Sequence, residues 1–173
     1  VTIYALRGPR MTGPWRMREH AEHQGDGPGR HINVEAGPIN VSPDEQGSGI
    51  VIDKKGFILT CNHVVASADV LFVRLPEGRK IEPVEVSTDP ETDLALIRVK
   101  TDIELQEVRL GNSENLDVGD WVVSLASPYD MTRSISAGIV STTDRWVPGT
   151  PNPLIQNDAA TNPGSSGGAL INL

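Results

Sequence analysis

Gly164-Ser165-Ser166-Gly167-Gly168, preceded by Asn157-Asp158-Ala159-Ala160-Thr161-Asn162-Pro163 and followed by Ala169-Leu170, is the stretch whose reading decides the fold. By itself it satisfies Gly-x-Ser-x-Gly, the pattern of a serine held on a sharp strand-to-helix turn in α/β folds, where the acid and the histidine follow the serine in the chain. Only seven residues follow Ser166, and none is His, Asp or Glu. Partners for this serine must therefore be sought upstream. Two fit: His63, just after a strand expected at Phe57 to Thr60, and Asp93, just before one expected at Leu94 to Val99. Taken singly, each has a plainer reading. A histidine after a strand is usually structural or solvated, an aspartate before one is usually a turn former, and a serine among glycines is usually loop.

The set of three says more than its members. A hydroxyl is a poor nucleophile near neutral pH, so it needs a base within hydrogen-bond reach, and that base needs a third group to fix its tautomer and stabilise its cationic form. Glycines beside the serine have a second use, because a turn without side chains can aim backbone N–H groups at the oxyanion of a tetrahedral intermediate. His, then Asp, then Ser on a β background is the chain order of the chymotrypsin-like plan.

The rest of the chain supplies that background. Val1 to Leu6 is β-branched, aromatic or apolar and stops at Gly8-Pro9, so it reads as a strand. Residues 9 to 46 are rich in Gly and Pro and lack a helical period; this is a long loop with a brief strand expected near Ile32 to Glu35. Ser48 to Ile52, the turn Asp53-Lys54-Lys55-Gly56 and Phe57 to Thr60 form a hairpin. Val70 to Leu75 and Ile81 to Val86 repeat the design, with Pro83 marking an edge or a bulge. Leu94 to Val99, Trp121 to Leu125, Ile135 to Ser141, Leu154 to Gln156 and Gly168 to Ile171 complete the strands, and no amphipathic helix or internal repeat is evident. A connector from about 100 to 120 separates two strand-rich blocks. Many short strands with turns between them predict an all-β sandwich or barrel pair.

Composition narrows the function classes. Fifteen basic against 23 acidic residues give a net charge of −8, which argues against a nucleic-acid footprint or a polybasic membrane patch. One cysteine, Cys61, excludes an internal disulfide framework and multi-cysteine metal sites. It reads as a small buried residue, since nothing nearby in sequence would lower its pKa. No apolar run approaches the length of a membrane span, and no secretory signal pattern opens the sequence. His20, Glu22, His23 and His31 have ligand chemistry but sit in the Gly/Pro-rich loop without a scaffold, so they read as solvated and no metal or other cofactor is assigned. Asp158 reads equally well as a cleft carboxylate or as a hydrogen-bonding turn residue.

Longer segments carry a family resemblance. Gly47-Ser48-Gly49-Ile50-Val51-Ile52-Asp53, Leu59-Thr60-Cys61-Asn62-His63-Val64-Val65, Thr92-Asp93-Leu94-Ala95-Leu96-Ile97 and Asn157 to Leu170 resemble the HtrA/Deg serine proteases. So do Leu110 to Ser113, Val118 to Val122 and Ser136 to Ser141, so the resemblance runs from about residue 47 onward, with Val1 to Leu6 matching the family's first strand. It implies a chymotrypsin-like double β-barrel with its active site between the barrels, and ATP-independent endoproteolysis of unfolded or damaged proteins. It implies Ser166 as nucleophile, His63 as base and then acid, and Asp93 as the group that holds the imidazole. The oxyanion donors would be the N–H groups of Gly164 and Ser166, with Ser165 as a third candidate. Ala160 would line a substrate pocket without an acid at its floor, in keeping with the family's small aliphatic preference.

A homotrimer, PDZ domains and a periplasmic or cell-envelope location are likewise implied by the family alone. On its pattern, residues 1–105 form the first barrel, including loop 9–46, and 106–173 form a second barrel that lacks its C-terminal strands. Ser165 stands where the family usually has Asn, and Ala126-Ser127-Pro128-Tyr129-Asp130 replaces a usual Gly-Asn-Pro-Phe-Gly. The competing readings are a catalytically inactive protease-like binding or chaperone module and a metal-binding module built on the histidine loop.

Overall fold

The computed structural model describes residues 1–6, 46–66, 68–128 and 133–172. The strand expected near Ile32 to Glu35, the loop histidines and the Tyr129-Asp130 departure lie outside these residues. Twelve strands are described: β1 Thr2–Leu6, β2 Gln46–Ser48, β3 Ile50–Asp53, β4 Phe57–Cys61, β5 Val70–Arg74, β6 Lys80–Ile81, β7 Pro83–Asp89, β8 Leu94–Val99, β9 Trp121–Ala126, β10 Ser134–Arg145, β11 Leu154–Asn157 and β12 Ala169–Asn172. All described pairings are antiparallel, and they build three sheets in the orders β2-β1-β5-β6, β3-β4-β8-β7 and β11-β10-β9-β12.

The first two sheets share one core. Alternation along β8 turns Ala95, Ile97 and Val99 inward, and along β4 it buries Ile58 and Thr60. Ile3 of β1, Val51 of β3 and Val73 of β5 meet them there, with Val65, Leu75 and Leu105 closing the cluster. Burying one such side chain contributes about 1.5–3 kcal/mol, so these few aliphatics carry the unit. Leu105 belongs to the connector. The Val108 N–H donating to Val51 O at 2.9 Å also ties that connector to the first unit before β9 begins.

Two departures from the expected strands share one cause, the passage of the chain from one sheet to the other. The segment read as a single strand from Ser48 to Ile52 is split at Gly49: β2 pairs with β1, whereas β3 pairs with β4. A Cβ on Gly49 would come within 2.8 Å of Ile58 Cγ2 and 2.9 Å of Ile3 Cδ1, so the corner requires glycine. The second hairpin keeps only the pairs Val73↔Ile81 and Arg74↔Lys80 before the chain leaves for β8. Pro83, which has no N–H for a ladder, begins β7 there, on the edge of its sheet and beside a register shift.

In the third sheet Val122 and Val140 are buried, whereas Trp121, Ile135, Leu170 and Ile171 are exposed among the described residues. β10 runs to Arg145, four residues past the expected end, with irregular pairing to β11. Among the described residues no helix is long and apolar enough to cross a membrane.

Candidate active site

One turn of helix that the sequence did not announce, α1 (Asn62–Val65), follows β4 and carries His63. Four residues cannot hold a helix by propensity; this one is capped from another strand. The Asn62 N–H donates to Asp93 O at 2.9 Å, and the His63 N–H donates to Asp93 Oδ1 at 2.9 Å. Asp93 thus accepts the first N–H groups of the turn, the role an N-cap side chain normally plays from within the helix.

Asp93 is itself placed by the turn before it. The Asp89 carboxylate takes the Glu91 N–H at 3.0 Å and the Thr92 hydroxyl at 2.6 Å, bonds that hold its pKa below the usual carboxylate range. Asp93 then adopts φ +57°, a left-handed conformation that Asp tolerates better than most residues. Its remaining oxygen, Oδ2, lies 2.7 Å from His63 Nδ1. One oxygen therefore fixes the backbone of the histidine while the other fixes its ring, and both side chains are about half-exposed.

Ser166 is half-buried in the turn that follows β11, and the Ser48 N–H donates to its carbonyl at 2.8 Å. The Gly167 N–H bonds to Cys61, two residues before His63, which brings the serine turn to the end of β4. No hydrogen bond joins the Ser166 hydroxyl to His63 in this structure; contacts of this kind often tighten only when substrate binds. The N–H of Ser165 donates to Asn162 O at 2.9 Å, and Ser165 O accepts from the Gly168 N–H at 2.9 Å. Among the described residues nothing accepts from the N–H of Gly164 or Ser166. Of the three candidate oxyanion donors, these two have no acceptor among the described residues, while Ser165 is already engaged.

Gly167 shows how tight the junction is. Its φ is +80°, and a Cβ there would collide with Ser48 O and Thr60 Oγ1 and meet Thr60 Cα at 3.1 Å. Gly167→Ala combines left-handed strain with overpacking against backbone, together roughly 2–5 kcal/mol. The expected result is a fall of that size in unfolding free energy, measured by urea titration.

Cys61 is half-buried rather than fully buried. Burial, and next the Asp93 charge, push its thiol above the ordinary value, with the Gly167 N–H opposing. Cys61, His63 and Asp93 each place a metal-type donor atom within 4.8 Å of the others. Those donors already serve one another and Gly167, so the cluster reads as the acid–imidazole pair and its neighbour. Asp158 takes the hydrogen-bonding alternative: its Oδ1 accepts the Ile139 N–H at 2.7 Å. Ala160 is exposed, its carbonyl accepting the Ser136 hydroxyl at 2.7 Å. Sequence reasoning missed Ser48, whose contacts reach 79 and 116 residues along the chain.

A β fold carrying an Asp-held histidine beside a glycine-flanked serine defines the class of trypsin-like peptidases. A family model described as a trypsin-like peptidase domain matches residues 47–173. The chain belongs to this family, and its relatives make it an HtrA/Deg-type protease domain. It is 49% identical over 128 residues to a Pseudomonas fulva protein named "Probable periplasmic serine endoprotease DegP-like", covering 73% of this chain and 26% of the relative. A relative of the same name from Hahella chejuensis is 46% identical, covering 73% of this chain and 27% of its own length. The chain thus spans about a quarter of the curated relatives it matches. Among solved structures it is similar to the HtrA-type protease AlgW with decapeptide, at TM-score 0.67 and 38% identity over 73% of this chain and 39% of that one. AlgW with tripeptide gives TM-score 0.68 and 38% identity over 74% and 43%. The all-β, chymotrypsin-like fold expected from the sequence is the fold of these neighbours.

Proposed function

We propose that this chain is the protease domain of a periplasmic serine endopeptidase that cleaves exposed segments of unfolded or damaged proteins. The observation that carries the reading is the double grip of Asp93 on His63, 2.9 Å to the backbone N–H and 2.7 Å to Nδ1, beside the turn that holds Ser166. A carboxylate on Nδ1 keeps the proton there and leaves Nε2 as the base. Ser166 Oγ attacks the scissile carbonyl carbon while Nε2 takes its proton, and the oxyanion receives the Gly164 and Ser166 N–H groups. Nε2 returns the proton to the leaving amine, and the C–N bond breaks to give an acyl-serine. Water, deprotonated by the same imidazole, then releases the acid and restores the hydroxyl.

The location rests on relatives named periplasmic, and peptide substrates on the peptide-bearing AlgW structures. On the family pattern Ala160 lines the substrate pocket, which would fit small aliphatic side chains at the cleavage site, and a trimer follows the same pattern. A fluorophosphonate probe incubated with the full-length protein is expected to label Ser166 one to one, located by peptide mass mapping. A folded protein that stays unlabelled would overturn the reading in favour of a protease-like binding module.

A further inference from the structure

Ser48 is 2% exposed, lies at the corner between the first two sheets, and uses every hydrogen-bonding group it has. Its hydroxyl donates to Gly164 O at 2.8 Å and accepts the Ser127 N–H at 2.9 Å. Its N–H donates to Ser166 O at 2.8 Å, and its carbonyl accepts the Thr60 hydroxyl at 2.7 Å.

The consequence is clearest when the serine turn is followed one peptide plane at a time. The Gly164–Ser165 plane is held at its oxygen by Ser48 Oγ and at its N–H by Asn162 O. The Ser165–Ser166 plane is held at its oxygen by the Gly168 N–H, and its N–H has no acceptor among the described residues. The Ser166–Gly167 plane is held at its oxygen by the Ser48 N–H and at its N–H by Cys61. Ser48 therefore grips two of three consecutive planes. Its side chain also joins them to Ser127, just beyond β9.

A peptide plane beside glycine rotates easily, because Gly164 at φ +93° has no Cβ to resist. The Gly164 N–H and the Ser166 N–H belong to the planes on either side of the Gly164–Ser165 plane, so holding that middle plane fixes how the two donors are turned relative to each other. A donor held even slightly wrong loses most of its effect. We infer that Ser48 is a positioning residue: by locking the Gly164–Ser165 and Ser166–Gly167 planes it fixes the orientation of the adjoining planes that carry the two oxyanion N–H groups, those of Gly164 and Ser166. This rests on the serine-peptidase reading above. Ser48 touches no substrate; it acts through the turn.

The test compares Ser48→Ala with the parent in the full-length protein, on a peptide substrate and with active sites titrated. Removing an oxyanion donor outright costs about 100- to 1,000-fold in kcat, and loosening two should cost less, roughly 10- to 100-fold. The expected result is that loss in kcat with KM changed less than threefold. Affinity for a peptidyl boronic acid, which forms a tetrahedral adduct on Ser166, should weaken by the same factor. Ser48→Thr, which keeps the hydroxyl, should restore kcat. A merely structural serine would lower the melting temperature but leave kcat per titrated site intact. If Ser48→Ala does not fold, Ser48→Cys, similar in volume and a poor donor, is read by the same criteria. A folded variant with kcat within twofold of the parent, or a kcat loss without loss of boronate affinity, overturns the inference alone. A parent that neither labels nor cleaves overturns the functional reading and this inference with it.

Discussion

Ser166→Ala is expected to lower kcat by about a million-fold, the scale seen when the nucleophile of a Ser-His-Asp protease is removed. The change takes away the only atom that forms the covalent bond, and a water in its place would lack the fixed geometry that makes the attack effectively unimolecular. The structure also predicts that little else changes. Ser166 is half-buried, its hydroxyl makes no hydrogen bond among the described residues, and its backbone is held through its carbonyl by the Ser48 N–H. Stability should therefore stay within about 0.5 kcal/mol of the parent. Peptide cleavage followed over days, with circular dichroism and a melting curve on the same sample, checks both halves. Cleavage within a hundredfold of the parent would remove Ser166 from the role assigned to it.

How legible such roles were in the sequence depended on the range of the interaction behind each. Strands β4, β5, β8, β9, β11 and β12 could be read because alternation and turn residues act within a few positions, as in Leu94 to Val99 with Asp89 to Thr92 before it. His63, Asp93 and Ser166 could be singled out because their types and chain order imply a shared chemistry, and the structure joins the first two directly. The sheet changes at Gly49 and Pro83 could not, since both depend on what the segment meets across the core. The one-turn helix around His63 was equally hidden, because its cap comes from Asp93, thirty residues away. Ser48 lay in plain view in a family-like segment, yet its side chain bonds to Gly164, 116 positions on, and no local pattern encodes that. Long-range polar contacts become visible only once the chain is folded.

The double grip on His63 allows the acid to be tested without disturbing the fold. Asp93→Asn keeps the shape of the side chain, and Asn accepts the left-handed conformation that Asp93 adopts at φ +57°. The amide oxygen can still take the His63 N–H in place of Oδ1, so the cap on α1 survives. The amide nitrogen then faces Nδ1, where Oδ2 stood 2.7 Å away. It is a donor, so it selects the tautomer with the proton on Nε2, and that nitrogen can no longer receive the Ser166 proton. The negative charge that stabilises the imidazolium is lost as well. The same exchange in a chymotrypsin-type protease costs about ten-thousand-fold in kcat, and that is the loss expected here, with KM little changed and the melting temperature within a few degrees. Asp93→Ala should add a second effect that Asn avoids. Without an acceptor for the His63 N–H, α1 loses its cap and about 1 kcal/mol of stability. If Asn and Ala cost the same in kcat while only Ala lowers the melting temperature, the two oxygens of Asp93 have separable duties: Oδ1 holds the helix and Oδ2 sets the proton.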